Sequence, residues 1–236
     1  MRINKYLASC GKGSRRKCET LVLEGRVKKN GRPISELSAD IGPNDIVTVD
    51  GFKVVPPTNH VYIMLNKPKG YICSRSDEKS RKTVFDLINS FCADPRLVSV
   101  GRLDYDTEGL LLLTTDGDLT NKLAHPRNEI EKTYVAKVEG EVSEIEIDKL
   151  CRGVVIDGVK TKRSKIKLLE FKDNVSRLEI KISEGRNRQI RKMFESITRQ
   201  VIFLKRMAIG DLRLGGITRG SCRFLRDDEI NYLKFI

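Results

Sequence analysis

Apolar residues at the start of the chain follow a helical spacing. They recur every three to four positions over 3–10 and again over 18–22, and Gly11 lies just beyond the first stretch. Ser14 is a typical N-cap residue before the second stretch, and Gly25 is a typical C-terminal stop after it. We therefore expect two short amphipathic helices joined by a glycine-containing turn.

The hydrophobic pattern becomes that of strands after these helices. Val27 and Ile34 lie on either side of Asn30–Gly31, a pair that favours a tight turn between strands. Residues 46–49 then alternate apolar and polar side chains. The pattern predicts a small sheet packed with the two helices.

Residues 56–59, Pro-Pro-Thr-Asn, favour an extended and semi-stiff connection. We place a domain boundary there, with one domain at residues 1–55 and a larger one at residues 60–236.

Strand-like and helix-like patterns are mixed in the larger domain. The predicted strands are 61–65, 98–103, 134–138 and 178–182, and the predicted helices are 83–88, 143–150 and 186–197. Ser143 and Glu146 form a capping box, S-x-x-E, at the start of the second of these helices. The mixture predicts an α+β fold with a mainly antiparallel, mixed β-sheet flanked by helices.

The chain is strongly basic, with a formal net charge of +13. Its first 32 residues carry ten of the 45 basic residues but only two of the 32 acidic ones. Such an excess favours a polyanionic partner, either nucleic acid or an anionic membrane surface.

No apolar run approaches the roughly 20 residues that a membrane span needs, and the N-terminus lacks the apolar core of a signal peptide. The six cysteines lie far apart and form no C-x-x-C pair, a spacing that indicates neither a zinc site nor a disulfide framework. We therefore expect a cytoplasmic protein with reduced thiols and no membrane partner.

Three cations, Arg15, Arg16 and Lys17, fall in the first turn of the second predicted helix. The helix dipole disfavours positive charge at that end, so a different interaction must favour it there. A phosphate group would do so, because it binds well at a helix N-terminus with basic side chains beside it. The pattern indicates a nucleic-acid contact.

The segment R-I-N-K-Y-L-A-S-C-G-K-G-S-R-R-K-C-E-T-L-V-L-E-G-R-V-K-K-N-G resembles the S4 domain, a small RNA-binding module of ribosomal proteins and RNA-modifying enzymes. The likeness covers roughly residues 1–50, with Lys29 at a position where the family more often has an apolar residue. It implies helices of the αL type with a small sheet. It also implies RNA contacts by the cations Arg15, Arg16, Lys17 and Arg26.

The densest cluster of chemically capable side chains is G-R-L-D-Y-D-T-E-G at residues 101–109. Its spacing alone leaves several interpretations open. It could be a polar loop between strands, or a metal loop, although it lacks the glycine spacing of an EF-hand and has no nearby histidine. A two-carboxylate hydrolase of glycosidic bonds, with Asp104 and Asp106 as partners, is a third.

The same cluster, read on through L-L-L-L-T-T-D-G, resembles the catalytic motif of the bacterial ribosomal pseudouridine synthases of the RsuA-like family. Two further segments match that family in order. Residues 131–134 resemble its K-x-Y strand, and residues 184–193 resemble its third motif. With the S4 domain, the resemblance covers nearly the whole chain.

The resemblance implies a role for each matched residue. Asp104 corresponds to the catalytic aspartate, Tyr134 to the tyrosine that packs against the target base, and Arg191 to the basic residue that ion-pairs with the aspartate. Arg102 is a candidate for holding the RNA open. Further phosphate contacts are expected from Arg186, Arg188 and Lys192. The reaction is redox-neutral and is expected to need neither a metal nor a cofactor.

The target RNA is less clearly indicated. Residues 83–86, 123–126 and 217–233 look most like the family members that act on large-subunit (23S) ribosomal RNA. The alternatives are 16S ribosomal RNA, a tRNA, or a non-catalytic RNA-binding role in ribosome assembly. We expect ribosomal RNA as the partner, free or in a pre-ribosomal particle, and a monomeric protein.

Overall fold

The computed structural model describes residues 1–75 and 77–236. Contacts divide the chain into two compact units. One holds residues 1–61 with the short segments 93–98 and 114–117, and the other holds the remainder of the chain. The expected domain limits, 1–55 and 60–236, stay a prediction.

The first unit contains two helices and a small antiparallel sheet. The helices are α1 (Ile3–Ser9) and α2 (Arg15–Leu23), and the strands are β1 (Val27–Lys29), β2 (Arg32–Pro33), β3 (Val47–Val49) and β4 (Phe52–Val54). The strand order is β2-β1-β3-β4. Apolar residues from both helices and the sheet form one core, which includes the fully buried Ile3, Leu7 and Val22.

The local signals at these elements are confirmed. Ser14 Oγ accepts a hydrogen bond from the backbone N–H of Lys17 at 3.2 Å and so caps α2. Asn30 and Gly31 take positive φ values of 50° and 82° between β1 and β2, as the predicted tight turn requires.

The second unit contains the larger sheet. The larger sheet contains β5 (Tyr62–Lys67), β6 (Val98–Ser99), β7 (Glu108–Thr114), β8 (Lys132–Glu139), β11 (Lys165–Lys172), β12 (Val175–Ile182), β13 (Val201–Ile209), β14 (Leu212–Arg213) and β15 (Cys222–Phe224). β9 (Val155–Ile156) and β10 (Val159–Lys160) form a separate two-stranded sheet. The helices of this unit are α3 (Val84–Ile88), α4 (Gly117–Ala124), α5 (Glu144–Arg152), α6 (Gln189–Glu195) and α7 (Asp227–Phe235). A single 3₁₀ turn covers Pro126–Asn128.

The main sheet has the strand order β11-β12-β8-β13-β7-β5-β15. β12 pairs antiparallel with β8, and β8 pairs antiparallel with β13, whereas β13 and β7 pair parallel. Every residue of β7 is buried, which is typical of a strand covered on both faces. The fold is therefore α+β with a mixed, mostly antiparallel sheet, as expected.

Several predicted elements differ in extent. The strand expected at 98–103 is wrong beyond Ser99, because Gly101 adopts a φ of +67° and turns the chain out of the extended conformation. The helix expected at 186–197 begins only at Gln189, because Arg188 takes a left-handed φ of 49°. The pattern also missed α4, β11, β13 and α7.

The predicted capping box at the start of α5 is present. Ser143 Oγ accepts from the backbone N–H of Glu146 at 3.3 Å, and the Glu146 carboxylate accepts from the backbone N–H of Ser143 at 2.8 Å. The backbone N–H of Thr83 donates to the Asp86 carboxylate at 2.7 Å at the start of α3. Among the described residues, no helix is both long enough and apolar enough to span a membrane.

Candidate active site

A cavity of about 140 Å³ lies in the second unit, where three parts of the chain converge. The loop before β7 contributes Arg102 and Asp104, β8 contributes Tyr134, and the segment before α6 contributes Arg186 and Arg188. The structure thus brings together residues that lie far apart in the sequence. The walls of the cavity also include apolar side chains from the sheet and from α6, namely Ile182, Ile190, Leu204 and Ile209.

A buried lysine fixes the loop that carries Asp104. Lys67, at the end of β5, is fully buried, and its Nζ donates to the backbone carbonyls of Asp104 at 2.9 Å and Thr107 at 2.8 Å. A third bond runs to the carbonyl of Pro68 at 3.2 Å. Burial lowers the pKa of Lys67. Its three carbonyl partners compensate for the loss of hydration and hold the loop in one conformation.

The carboxylate of Asp104 is left without a protein partner. Asp104 is partly exposed and lines the cavity, and no hydrogen bond or ion pair of its side chain occurs within the described residues. Its backbone carbonyl is bound by Lys67 and by the N–H of Thr107 at 3.1 Å. The backbone is therefore fixed while the carboxylate remains available to a ligand.

The ion pair expected between Arg191 and Asp104 is wrong. Arg191 Nη2 lies 3.1 Å from Asp106 Oδ2 and donates to the Asp106 carbonyl at 3.2 Å, and its Nη1 donates to the carbonyl of Val201 at 2.6 Å. The loop turns between Asp104 and Thr107, so the two carboxylates face different groups. Burial lowers the pKa of Arg191, and the charges of Asp106 and, less strongly, Asp104 oppose that shift.

Tyr134 lies on β8 and is nearly buried in the wall of the cavity. Its cross-strand neighbour on β13 is Arg206, which is 4% exposed and donates through Nε to the carbonyl of Leu110 at 2.8 Å. Within the described residues, Nη2 of Arg206 has no hydrogen-bond partner. Lys132 lies two residues before Tyr134 and also lines the cavity. Burial and the charge of Arg206 lower the pKa of Lys132 to about 8.

The other residues that we predicted to contact RNA differ in whether protein groups already bind their side chains. Arg188 lies 3.2 Å from the Asp106 carboxylate, and Lys192 lies 2.6 Å from that of Asp157. Arg186 donates to the carbonyls of Val159 at 3.0 Å and Ile156 at 2.5 Å, so it also supports the β9–β10 hairpin.

The remaining cations lie at the cavity or on the first unit. Arg102 is exposed at the cavity, and Arg15, Arg16 and Lys17 are exposed at the start of α2. Arg26 is held by Asp50 at 2.7 Å. All of these residues stay predictions as RNA contacts.

Sequence reasoning missed Lys67 and the role of Asp106. Lys67 lies two residues beyond the predicted strand 61–65, and no local pattern there indicates a buried charge. The pairing of Asp106 with Arg191 joins residues 85 positions apart and has no local signal.

Two family models match the chain. The model described as RNA pseudouridylate synthase matches residues 61–196, which include the whole loop of Asp104 and also Tyr134 and Arg191. The chain belongs to the RNA pseudouridylate synthase family. The model of the S4 domain matches residues 1–47. Both resemblances seen in the sequence are confirmed, and the chain is a pseudouridine synthase.

Individual relatives match over the full length. The chain is 44% identical to "Ribosomal large subunit pseudouridine synthase B" of Bacillus subtilis (strain 168), covering 99% of this chain and 95% of the relative. It is 41% identical to an "Uncharacterized RNA pseudouridine synthase" of Aquifex aeolicus (strain VF5), covering 99% and 93%. The solved structure "Crystal structure of pseudouridylate synthase" superposes with a TM-score of 0.72 at 30% identity, covering 99% of both chains.

Proposed function

We propose that this pseudouridine synthase isomerises a specific uridine to pseudouridine in ribosomal RNA, and that the RNA is that of the large subunit (23S). The unpaired carboxylate of Asp104 beside Tyr134 in the cavity carries the proposal. The name of the Bacillus subtilis relative, 44% identical over 99% of this chain, supports the choice of RNA.

The size of the cavity fits one nucleobase. It measures about 140 Å³. An apolar cavity of about 150 Å³ in another protein holds benzene, a ring of similar size to uracil. The polar groups at its wall include Asp104 and Lys132.

The isomerisation breaks the bond between N1 of uracil and C1′ of the ribose and forms a bond between C5 and C1′. The proton on C5 is lost and N1 gains one, so the reaction is balanced without an oxidant or reductant. Asp104 acts at C1′, where a carboxylate stabilises or captures the electron-poor carbon while the base turns. Tyr134 packs against the base and moves the proton.

The target uridine must leave the base stack before Asp104 can reach C1′. Extruding a nucleotide costs a few kcal/mol, least where the RNA is already unpaired. Arg102, exposed at the cavity, holds the space that the base has left. Arg188 and the cations of α2, Arg15, Arg16 and Lys17, contact phosphates.

We also propose that the enzyme works in the cytoplasm as a monomer, on free ribosomal RNA or on a pre-ribosomal particle. The basic charge of +13 supports the RNA partner.

The decisive experiment incubates the purified protein with unmodified large-subunit ribosomal RNA. Pseudouridine is mapped by reverse-transcription stops after carbodiimide treatment, with Asp104→Asn as the inactive control. A single new stop that disappears with Asp104→Asn is the expected result. A stop only in small-subunit ribosomal RNA or tRNA would correct the substrate. No stop in any of the three, with RNA binding intact, would overturn the catalytic assignment.

A further inference from the structure

The main sheet has a second concave surface on the face opposite the active-site cavity. Successive residues of a strand point to opposite faces, so Val135 of β8 points away from the cavity that Tyr134 lines. On β13, Lys205 pairs with Val135 and Arg206 pairs with Tyr134, so Lys205 also points away from the cavity. We call this concave surface, formed by β8, β12 and β13 with the β11–β12 turn, the sheet groove.

The sheet groove is large and mostly basic. Its volume is about 620 Å³, more than four times that of the cavity. Four cations line it, namely Lys137, Lys172, Arg177 and Lys205, and two carboxylates, Glu170 and Asp173, lie at one end.

These four cations lack carboxylate partners. Within the described part of the chain, none of them has a carboxylate oxygen within 4.0 Å or donates a side-chain hydrogen bond. Cations elsewhere in the same unit are paired, for example Arg199 with Glu146 at 2.9 Å and Arg223 with Glu229 at 2.6 Å. The protein therefore neutralises the positive charge of the sheet groove only in part, through the two carboxylates at one end.

Two of the cations face each other directly. Arg177 of β12 pairs in register with Lys137 of β8, both are exposed, and like charges at directly opposed positions destabilise a sheet. Glu170 lies across from Arg177 on the other side but forms no ion pair with it. An anion that lies over both side chains would offset the repulsion that destabilises the free protein.

An aromatic ring lies among these charges. Phe203 pairs in register with Lys137, and Lys69 Nζ lies 5.6 Å from the centre of its ring. Ile202 and Met207 extend the apolar surface beside it, and Ile202 is 42% exposed. A positively charged groove with an accessible aromatic ring is the usual composition of a surface that binds single-stranded nucleic acid.

The spacing of the charges also suits a nucleic-acid strand. β12, β8 and β13 are adjacent strands. Neighbouring strands lie about 4.8 Å apart, so the side chains of Arg177, Lys137 and Lys205 span roughly 10 Å across the sheet. One chain of RNA phosphates can contact all three.

We propose that the sheet groove binds a segment of the substrate RNA that lies outside the active-site cavity, with its phosphates on Lys137, Arg177 and Lys205 and one base against Phe203. The proposal rests on the proposed function only in taking RNA as the substrate. It gives the enzyme a second contact with RNA in the catalytic unit, so affinity depends on RNA that lies well beyond the target uridine.

The test compares two triple variants with the same change in net charge. Lys137→Gln/Arg177→Gln/Lys205→Gln removes the charge of the sheet groove, and Lys149→Gln/Arg152→Gln/Arg163→Gln removes exposed charge elsewhere in the same unit. Binding of the full-length protein to unmodified large-subunit ribosomal RNA transcript is measured by filter retention over a range of salt concentrations, after matching thermal melting confirms that both variants fold.

The groove variant is expected to bind RNA at least about tenfold more weakly than the control variant. Each of the three lost phosphate contacts lowers the slope of log Kd against log salt by about 0.7–1, so the slope falls by about 2–3. Phe203→Leu is the second variant. It removes the ring but no charge, and is expected to weaken binding several-fold with the salt slope unchanged.

Equal affinities and equal salt slopes for the two triple variants would overturn the proposal, and the sheet groove would then be a surface for another class of partner. Pseudouridine formation by the unmodified protein is assayed in parallel. If no pseudouridine forms but the groove variant still loses RNA affinity, the proposed function fails and the assignment of the sheet groove stands.

Discussion

Arg191 forms its ion pair with Asp106 and not with Asp104, since its Nη2 lies 3.1 Å from Asp106 Oδ2. Asp106 also lies 3.2 Å from Arg188 and therefore neutralises two cations beside the cavity. Because Asp106 takes up these charges, the Asp104 carboxylate stays unpaired and can face the ribose. The two aspartates of the loop thus differ: Asp106 holds α6 to the loop, and Asp104 is left available for the chemistry that we propose.

Asp106→Asn is expected to destabilise the fold, because it leaves the buried guanidinium of Arg191 without its counter-ion. Removing one partner of a fully buried pair costs about 3–5 kcal/mol. Asp106 is 39% exposed, so we expect about 1–2 kcal/mol. Urea unfolding monitored by circular dichroism measures the change.

Asp104→Asn is the matched control for that substitution. It is expected to change the free energy of unfolding by less than about 0.5 kcal/mol while abolishing pseudouridine formation. Equal destabilisation by the two variants would contradict the division of tasks between the aspartates.

Lys67→Met removes the donor that binds three backbone carbonyls, two of them in the loop that carries Asp104. Leaving those carbonyls buried without a donor is expected to cost about 2–4 kcal/mol. The displaced loop should also slow single-turnover pseudouridine formation about a hundredfold, as misplacement by about 1 Å can do. Lys149→Met, at an exposed lysine of α5, should leave both quantities nearly unchanged. A Lys67→Met protein of full stability and activity would show that the loop needs no such support.

Gly109→Ala is expected to destabilise the protein by about 3 kcal/mol or more. Gly109 has a φ of +105°, and a Cβ there would lie 2.2 Å from the backbone carbonyl oxygen of Arg206. Neither strand can move without breaking the pairing of β7 with β13. Gly117→Ala meets no atom within 4 Å at the start of α4 and should be neutral or stabilising by up to about 1 kcal/mol. Thermal melting of both variants distinguishes them, and a similar melting temperature for the two would refute the close approach at Gly109.

Local signals predicted the local structure well. The cap at Ser14, the Asn30–Gly31 turn and the capping box of Ser143 and Glu146 depend only on residues within a few positions of each other, and all are present. Strand β13 was missed because Lys205 and Arg206 interrupt its apolar pattern, and Arg206 is buried only through a partner on the distant strand β7.

The residues of the candidate site were predictable from the sequence, but the contacts between their side chains were not. The ordered motifs gave the family and the positions of Asp104 and Tyr134, and the cavity contains both. Which aspartate meets Arg191 depends on how the loop turns between Asp104 and Thr107. That turn is fixed by Lys67, a residue about 40 positions away, so no local pattern could reveal it.

Lys132 is expected to give both stability and catalysis a dependence on pH. Burial and the charge of Arg206 lower its pKa from 10.5 to about 8 in the folded protein. Below pH 8 the folded protein must hold a poorly hydrated cation, whereas above about pH 10.5 the group is neutral in both states and this cost is gone. Lys132→Met should therefore raise the melting temperature at pH 7. The difference in melting temperature from the unmodified protein should shrink as the pH rises from about 8 to 10.5. A difference in melting temperature that stays constant with pH would contradict the lowered pKa of Lys132.

The same titration should appear in the kinetics. The value of kcat/KM reports ionisations of the free enzyme, and a neutral Lys132 attracts the phosphates of RNA less than a charged one does. We expect log kcat/KM for pseudouridine formation to fall as the pH rises through about 8. Lys132→Arg keeps a positive charge over this range and should lose that fall, although its absolute rate is lower because the guanidinium is larger. If the decline persists unchanged in Lys132→Arg, a different group titrates and Lys132 contributes no charge to RNA binding at the cavity.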